Sequence, residues 1–180
     1  MRNTIAWVVV LCVLGLSSAY ADDTSGSHPG AYVKLSAIAK DDDIAMTHPI
    51  AVAGQPSAEN FSEIAEAGYT VVVDMRGENE NRGMDDEGAV VESLGMQYVA
   101  FPLVGGEAIS WENAAKLHEL LDEADGPVLL HCGSGNRVAA LLALRDSQQG
   151  ASDEEAIGAG RAAGLTSLEP LVRQRLAEKE

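Results

Sequence analysis

Apolar positions along this chain switch repeatedly between short continuous runs and helical spacing. Ile50 to Ala53 is a short apolar run closed by Gly54-Gln55-Pro56, which predicts a strand and a turn. Ser57 is placed to cap the helix that follows, Phe61, Ile64 and Ala65 supply one apolar stripe, and Gly68 suits the left-handed position beyond its end. Tyr69 to Val73 is a continuous run rich in β-branched residues, the pattern of a strand buried on both faces. From about Asp86 a helix runs through Val90, Val91 and Leu94 to a stop at Gly95, and Gln97 to Phe101 predicts the next strand.

The second half repeats the alternation. Ser110 caps a helix over Trp111 to about Ala124, with Ala114, Leu117, Leu120 and Leu121 facing inward and Trp111 anchored on the core. Asp125-Gly126-Pro127 turns the chain into the strand Val128 to His131, and a further helix runs to about Gln149 before Gly150. Ser152 and Glu155 form a capping box for a helix ending at Gly164, and Pro170 to Lys179 predicts a last one. Strand-helix alternation of this kind implies an α/β fold: a central parallel sheet of four to five strands with helices on both faces. Its ligand site is expected at the carboxyl ends of the strands.

The first residues follow a different logic. Arg2, the apolar stretch Ile5 to Leu16 and Ala19-Tyr20-Ala21 have the order of a signal peptide, residues 1–21, and predict a secreted or periplasmic protein. Twelve apolar residues fall short of the about 20 needed to span a bilayer, so no membrane span is expected after cleavage. Residues 22–45 read as a leader or linker, and residues 46–180 as one catalytic domain. With 6 prolines and 4% aromatic residues, an alanine-rich α/β core is favoured over a β-sandwich.

A net charge of −16 disfavours nucleic acid and anionic membrane surfaces as partners, and it offers no long-range attraction to polyanions. Cleavage would remove Cys12, leaving Cys132 as the sole cysteine, without a disulfide partner in a compartment expected to be oxidising. That thiol stands in the segment with the most chemistry. His131-Cys132-Gly133-Ser134-Gly135-Asn136-Arg137 joins a strand end to a helix start, where loop N–H groups converge, the helix end adds positive partial charge and a guanidinium grips two oxygens. Such a field favours ionised sulfur, and Cys132 is the expected nucleophile.

Taken together, Ala53-Gly54-Gln55-Pro56-Ser57, Gly68 to Arg76, Gly95 to Tyr98 with Phe101-Pro102, and Pro127 to Arg137 resemble the phosphatase-like domain of the beta-lactamase-hydrolase-like proteins. The resemblance runs from about Ile50 to Leu176 and implies the cysteine phosphatase fold of the tyrosine and dual-specificity enzymes. It further implies that Cys132 attacks phosphorus, that Arg137 holds two oxygens, and that the amides of Gly133, Ser134, Gly135, Asn136 and Arg137 stabilise the transition state. His131 would order the loop.

Three features differ from the usual phosphatase cradle. Arg137 stands five residues after Cys132 rather than six, a spacing shared with the rhodanese sulfurtransferase loop. Val138 occupies the position of a Ser or Thr hydroxyl, and Gly105-Gly106-Glu107 replaces the loop that carries an aspartic general acid. Glu107 is the candidate acid, with a solvated loop carboxylate as the alternative. Three functions share the motif: a phosphatase acting on a small anionic substrate or a phosphoprotein, a sulfurtransferase taking sulfur from a sulfane donor, and an inert oxyanion binder.

Arg76 is a candidate second anion ligand or a brace to Asp74, and the acid-rich stretches Asp41 to Asp43 and Glu78 to Glu87 read as solvated surface. His28, His48 and His118 have no partners at ligand spacing, so neither a metal nor another cofactor is expected.

Overall fold

The β-branched run reaches its deepest burial in the strand Val71–Asp74, and Val128–His131 is equally buried along its whole length. A strand can lose both faces to solvent only where helices cover each side, and this requirement organises the molecule. The structure, a computed structural model, describes residues 32–34, 45 and 49–179. The expected signal peptide and most of the expected leader lie outside the described residues.

Five strands, β1 (Tyr32–Lys34), β2 (Ile50–Ala53), β3 (Val71–Asp74), β4 (Gln97–Ala100) and β5 (Val128–His131), form one parallel sheet in the order β1-β2-β5-β3-β4. Among the described residues, six helices with described bounds connect and follow them: α1 (Ala58–Glu66), α2 (Glu87–Ser93), α3 (Trp111–Glu123), α4 (Asn136–Gln148), α5 (Asp153–Ala163) and α6 (Glu169–Ala177). The expected caps form. Ser57 and Ser152 make capping boxes with Asn60 and Glu155, while Asp86 and Ser110 accept from the backbone of Ala89 and Asn113.

Period-two alternation sorts the strand side chains between two cores. Val52, Val71, Val73, Val128 and Leu130 face the layer containing α3, α4, α5 and α6, whereas Ala51, Ala53, Val72 and Leu129 face Phe61 and Ile64 of α1 and Val91 of α2. Helix α4 is the hub of the first layer: every residue from Val138 to Ser147 is buried. Among the described residues, no helix is long and apolar enough to cross a membrane.

Strand β1 is the element that sequence periodicity missed. It lies in the stretch read as leader, and three residues are too few to show a period. Its Tyr32 hydroxyl donates to Asp146 Oδ1 at 2.6 Å, at the end of α4. Burial, followed by the Asp146 charge, raises the Tyr32 pKa, and burial likewise raises that of Asp146. A short 3-10 turn, Gly106–Ala108, is the other unexpected element, and β3 begins two residues later than expected.

Helices α4 and α5 approach closely at Gly160, where an added Cβ would lie 3.1 Å from Leu165 Cδ2 and 3.2 Å from Ala143 Cβ. Gly158, two residues away, is exposed and faces open space. Gly160→Val is therefore expected to destabilise the protein by about 1–3 kcal/mol through overpacking. Gly158→Ala should stabilise it by about 0.5–1 kcal/mol through helix propensity. Urea midpoints of the two variants against the parent protein check both signs.

Candidate functional site

Strand β5 delivers Cys132 to the carboxyl edge of the sheet, and the turn into α4 curls back over it. Gly135 makes this turn possible, because its φ of 83° is left-handed and costs a residue without a Cβ little. Its N–H donates to Cys132 Sγ at 3.2 Å, and α4 begins at the next residue. Cys132 is only 1% exposed, while Gly133 and Ser134 are exposed and mark the mouth of the cradle. The loop after β2 pins it from one side: Gln55 N–H donates to Gly133 O at 3.3 Å, and Gly54 bridges Ser134. A Cβ on Gly54 would lie 3.2 Å from Gly133 O, so the close approach depends on glycine there.

Arg137 is aimed by a carboxylate that sequence reasoning assigned to solvated surface. Its Nη1 and Nη2 donate to Glu80 Oε1 and Oε2 at 2.6 and 2.7 Å, and Nη1 also reaches Leu103 O at 3.0 Å. The hydrogen bonds it donates to Glu80, and after them the charge of Cys132, raise the guanidinium pKa. Glu80 thus occupies one hydrogen on each terminal nitrogen, and an oxyanion in the cradle would draw on the remaining Nη2 and Nε hydrogens. The carboxyl of Glu80, held first by Arg137 and next by the Gly77 N–H, is pulled down to about 2. It is an anion at any ordinary pH and has no proton to give.

A second set of groups stands behind the cradle. Parallel register sets Asp74 of β3 opposite His131 of β5, both on the α1 and α2 face, and Glu87 enters from the first turn of α2. His131 Nε2 lies 3.0 Å from Glu87 Oε1 and 3.8 Å from Asp74 Oδ1, with all three side chains at most 1% exposed. The edge of Phe61 packs against the imidazole. Asp74 Oδ2 accepts from Arg82 at 2.7 Å and from the Tyr98 hydroxyl at 2.8 Å, and Asp74 Oδ1 accepts from Arg76 N–H at 2.8 Å. Glu87 Oε2 accepts from Gln55 Nε2, and Gln55 Oε1 accepts from Arg76 Nη1. These three ligand-bearing residues, Asp74, Glu87 and His131, are the described group with the spacing to hold a metal ion.

The expected site residues therefore divide. Cys132, Gly133, Ser134, Gly135 and Arg137 form the cradle, and His131 supports it from the opposite face. Asn136 begins the helix, but its side chain bonds Ser167 Oγ at 2.8 Å and Thr166 N–H at 2.9 Å, clamping a neighbouring loop. Arg76 turns its guanidinium to Gln55 and Glu80, and the cation that braces Asp74 is Arg82. Glu107 is 98% exposed and pairs with Arg175 at 3.2 Å, bordering a separate cavity with Ser110, Trp111 and Glu178. His118 pairs with Asp122 and approaches Arg145; His28 and His48 lie outside the described residues.

Gln55, Glu80, Arg82, Glu87 and Tyr98 were not singled out from the sequence. The reading of Glu78 to Glu87 as solvated surface is corrected at Glu87, which is 2% exposed, and at Glu80, which grips Arg137. The missed signal is that an acid run beside an arginine-rich loop has cations to meet.

A model of the phosphatase-like domain of the beta-lactamase hydrolase-like protein matches residues 42–151. The Beta-lactamase hydrolase-like protein of Xylella fastidiosa is 31% identical over 115 residues, 61% of this chain and 26% of the relative. That of Agrobacterium fabrum is 28% identical over 104 residues, 56% of this chain and 24% of the relative. The matched stretch is thus about a quarter of the length of these relatives. Among solved structures, a candidate phosphatase from Neisseria meningitidis aligns with a TM-score of 0.63 at 22% identity, covering 72% of this chain and 93% of that one. The core catalytic domain of a PP-IP phosphatase from S. cerevisiae, solved with citrate, aligns with a TM-score of 0.57 at 18% identity, covering 73% and 81%. At these identities the structural likeness establishes the cysteine phosphatase-like fold alone.

The low pKa of Glu80 has a stability consequence of defined sign. A depressed folded-state pKa contributes stability above the ordinary carboxylate range, and the contribution disappears as pH falls from about 4.5 toward about 2. The gap in urea midpoint between the parent protein and Glu80→Gln is expected to be widest near neutrality and to close across that interval. A gap independent of pH would show that the Arg137 pair contributes nothing to folding.

Proposed function

We propose, since the chain belongs to the family of the beta-lactamase hydrolase-like protein phosphatase-like domain, that it is a cysteine-dependent hydrolase of phosphoric monoesters, exported from the cytoplasm. The supporting observation is the geometry around one atom: Cys132 Sγ beneath the Gly135 N–H, at the start of α4, with the Arg137 fork fixed by Glu80. In this reading the sulfur attacks phosphorus, the bond to the leaving oxygen breaks, and a phosphocysteine forms. Water then attacks phosphorus, the P–S bond breaks, and inorganic phosphate leaves with the thiolate restored. Loop amides and Arg137 hold the equatorial oxygens, whose charge grows toward the transition state.

The leaving oxygen receives no proton from Glu80, which is ionised, and Glu107 is turned toward Arg175. Substrates with intrinsically good leaving groups, such as aryl or acyl phosphates, fit that environment. The same observation favours a second reading, a persulfide carried on Cys132, because sulfur transfer needs no acid at this position. Buried Val138 also offers no hydroxyl to assist thiolate departure from phosphorus.

Paired assays separate the readings: hydrolysis of an aryl phosphate, and sulfur transfer from thiosulfate to cyanide. Under the phosphatase reading, aryl phosphate is turned over, Cys132→Ser abolishes the reaction, and Arg137→Lys lowers kcat/KM by about 100-fold or more, since lysine keeps the charge but loses the fork. Turnover should be insensitive to Glu107→Gln; a large loss would identify Glu107 as the acid. Sulfur transfer without phosphate release, with one sulfur gained on Cys132 by mass, would replace the first reading with the second.

A further inference from the structure

Two buried carboxylates converge on His131 behind the cradle, and only that of Asp74 has an arginine on it. Asp74 has Arg82 and Tyr98 on one oxygen, but Glu87 Oε2 has only the neutral Gln55. Glu87 is 2% exposed, and its second oxygen, Oε1, makes no hydrogen bond. Neither ring nitrogen of fully buried His131 makes one either, although Nε2 and Glu87 Oε1 are 3.0 Å apart. The in-plane direction of Nε2 therefore does not follow that line. Three buried atoms with lone pairs, Nε2, Glu87 Oε1 and Asp74 Oδ1, thus stand close together.

We propose that Asp74 Oδ1, Glu87 Oε1 and His131 Nε2 form a binding site for one divalent transition cation of the Zn²⁺ type. The three atoms lie within 4.8 Å of one another. Two ligands bound at about 2.1 Å in tetrahedral geometry stand about 3.4 Å apart, and the observed 3.0 and 3.8 Å bracket that value. One imidazole nitrogen and two carboxylate oxygens suit Zn²⁺ and its first-row neighbours, and a water would complete the shell. On the α2 side a cavity of about 440 Å³ is bordered by Arg82, Asp85, Asp86, Glu87, Glu92 and Tyr98. Four of those six are acids, a composition that concentrates cations beside the site. The cation compensates Glu87 and fixes the imidazole that precedes Cys132, without touching the sulfur. The site is independent of whether the cradle transfers phosphorus or sulfur.

Metal analysis of the purified protein after Zn²⁺ loading and gel filtration tests the site. The parent protein and Cys132→Ser should each retain one equivalent and melt at higher temperature with Zn²⁺ than without. Glu87→Gln and Asp74→Asn should retain none and show no shift. Co²⁺ in the parent protein should give the visible bands of nitrogen and oxygen coordination without a sulfur charge-transfer band. The proposal is overturned if the parent protein binds no Zn²⁺, if a sulfur band shows the ion on Cys132, or if both carboxylate variants keep a full equivalent. Should circular dichroism show Glu87→Gln unfolded, Asp74→Asn and the Co²⁺ spectrum decide.

Discussion

Cys132 and Arg137 are joined twice, once through the four residues between them and once through side chains. Arg137 is held by Glu80, Glu80 meets Arg76, Arg76 reaches Gln55, Gln55 donates to Glu87, and Glu87 stands beside His131, the residue before Cys132. This closed circuit draws on the loops after β2 and β3, on α2 and on β5, so the thiol and the guanidinium cannot drift apart without breaking a contact. In the proposed reaction, preorganisation of this kind is what the protein would contribute to chemistry on a developing oxyanion. Glu80 is one-third exposed on its side chain, where an ion pair adds little to folding. Beyond a modest, pH-dependent contribution to folding, it aims the guanidinium.

The circuit also explains the contrast between the surface and the site. The chain carries a net charge of −16, yet the cradle presents loop amides, a helix N-terminus and Arg137. Attraction of an anion is thus a contact effect rather than a long-range one, and highly charged ligands meet opposition before they meet the cradle. The fold is shared by proteins of diverse substrate, and selectivity rests on the groups around the loop.

The alternation of buried runs and helical stripes made four strands of the sheet, its helices and the N-caps Ser57, Ser110 and Ser152 legible, because each depends on residues close in sequence. The cradle was legible for the same reason: Cys132 to Arg137 is contiguous. What was hidden is what the register creates. Asp74 and His131 are 57 positions apart and become neighbours only when β3 lies beside β5. Glu80 and Glu87 look like their solvated neighbours Glu78 and Asp85 until the loop folds over Arg137 and His131. Strand β1 was hidden because its place is set by pairing with Ile50 to Val52 and by a hydroxyl reaching Asp146, neither of which leaves a local pattern. The loop acid failed in the other direction, since Glu107 has a plausible position in sequence and a partner, Arg175, that only the fold supplies.

The strand order carries a consequence for assembly. Strand β5 is the last of the five to be synthesised, yet it occupies the centre, between β2 and β3. Those two have no direct pairing and share β5 as their common partner. A growing chain that ends before residue 128 therefore has two half-sheets with an empty slot, and no local subset of residues builds the site early. Long-range closure of this type is slow relative to helix formation. The thiol consequently acquires its partners in the final insertion step, and incomplete chains carry no working centre.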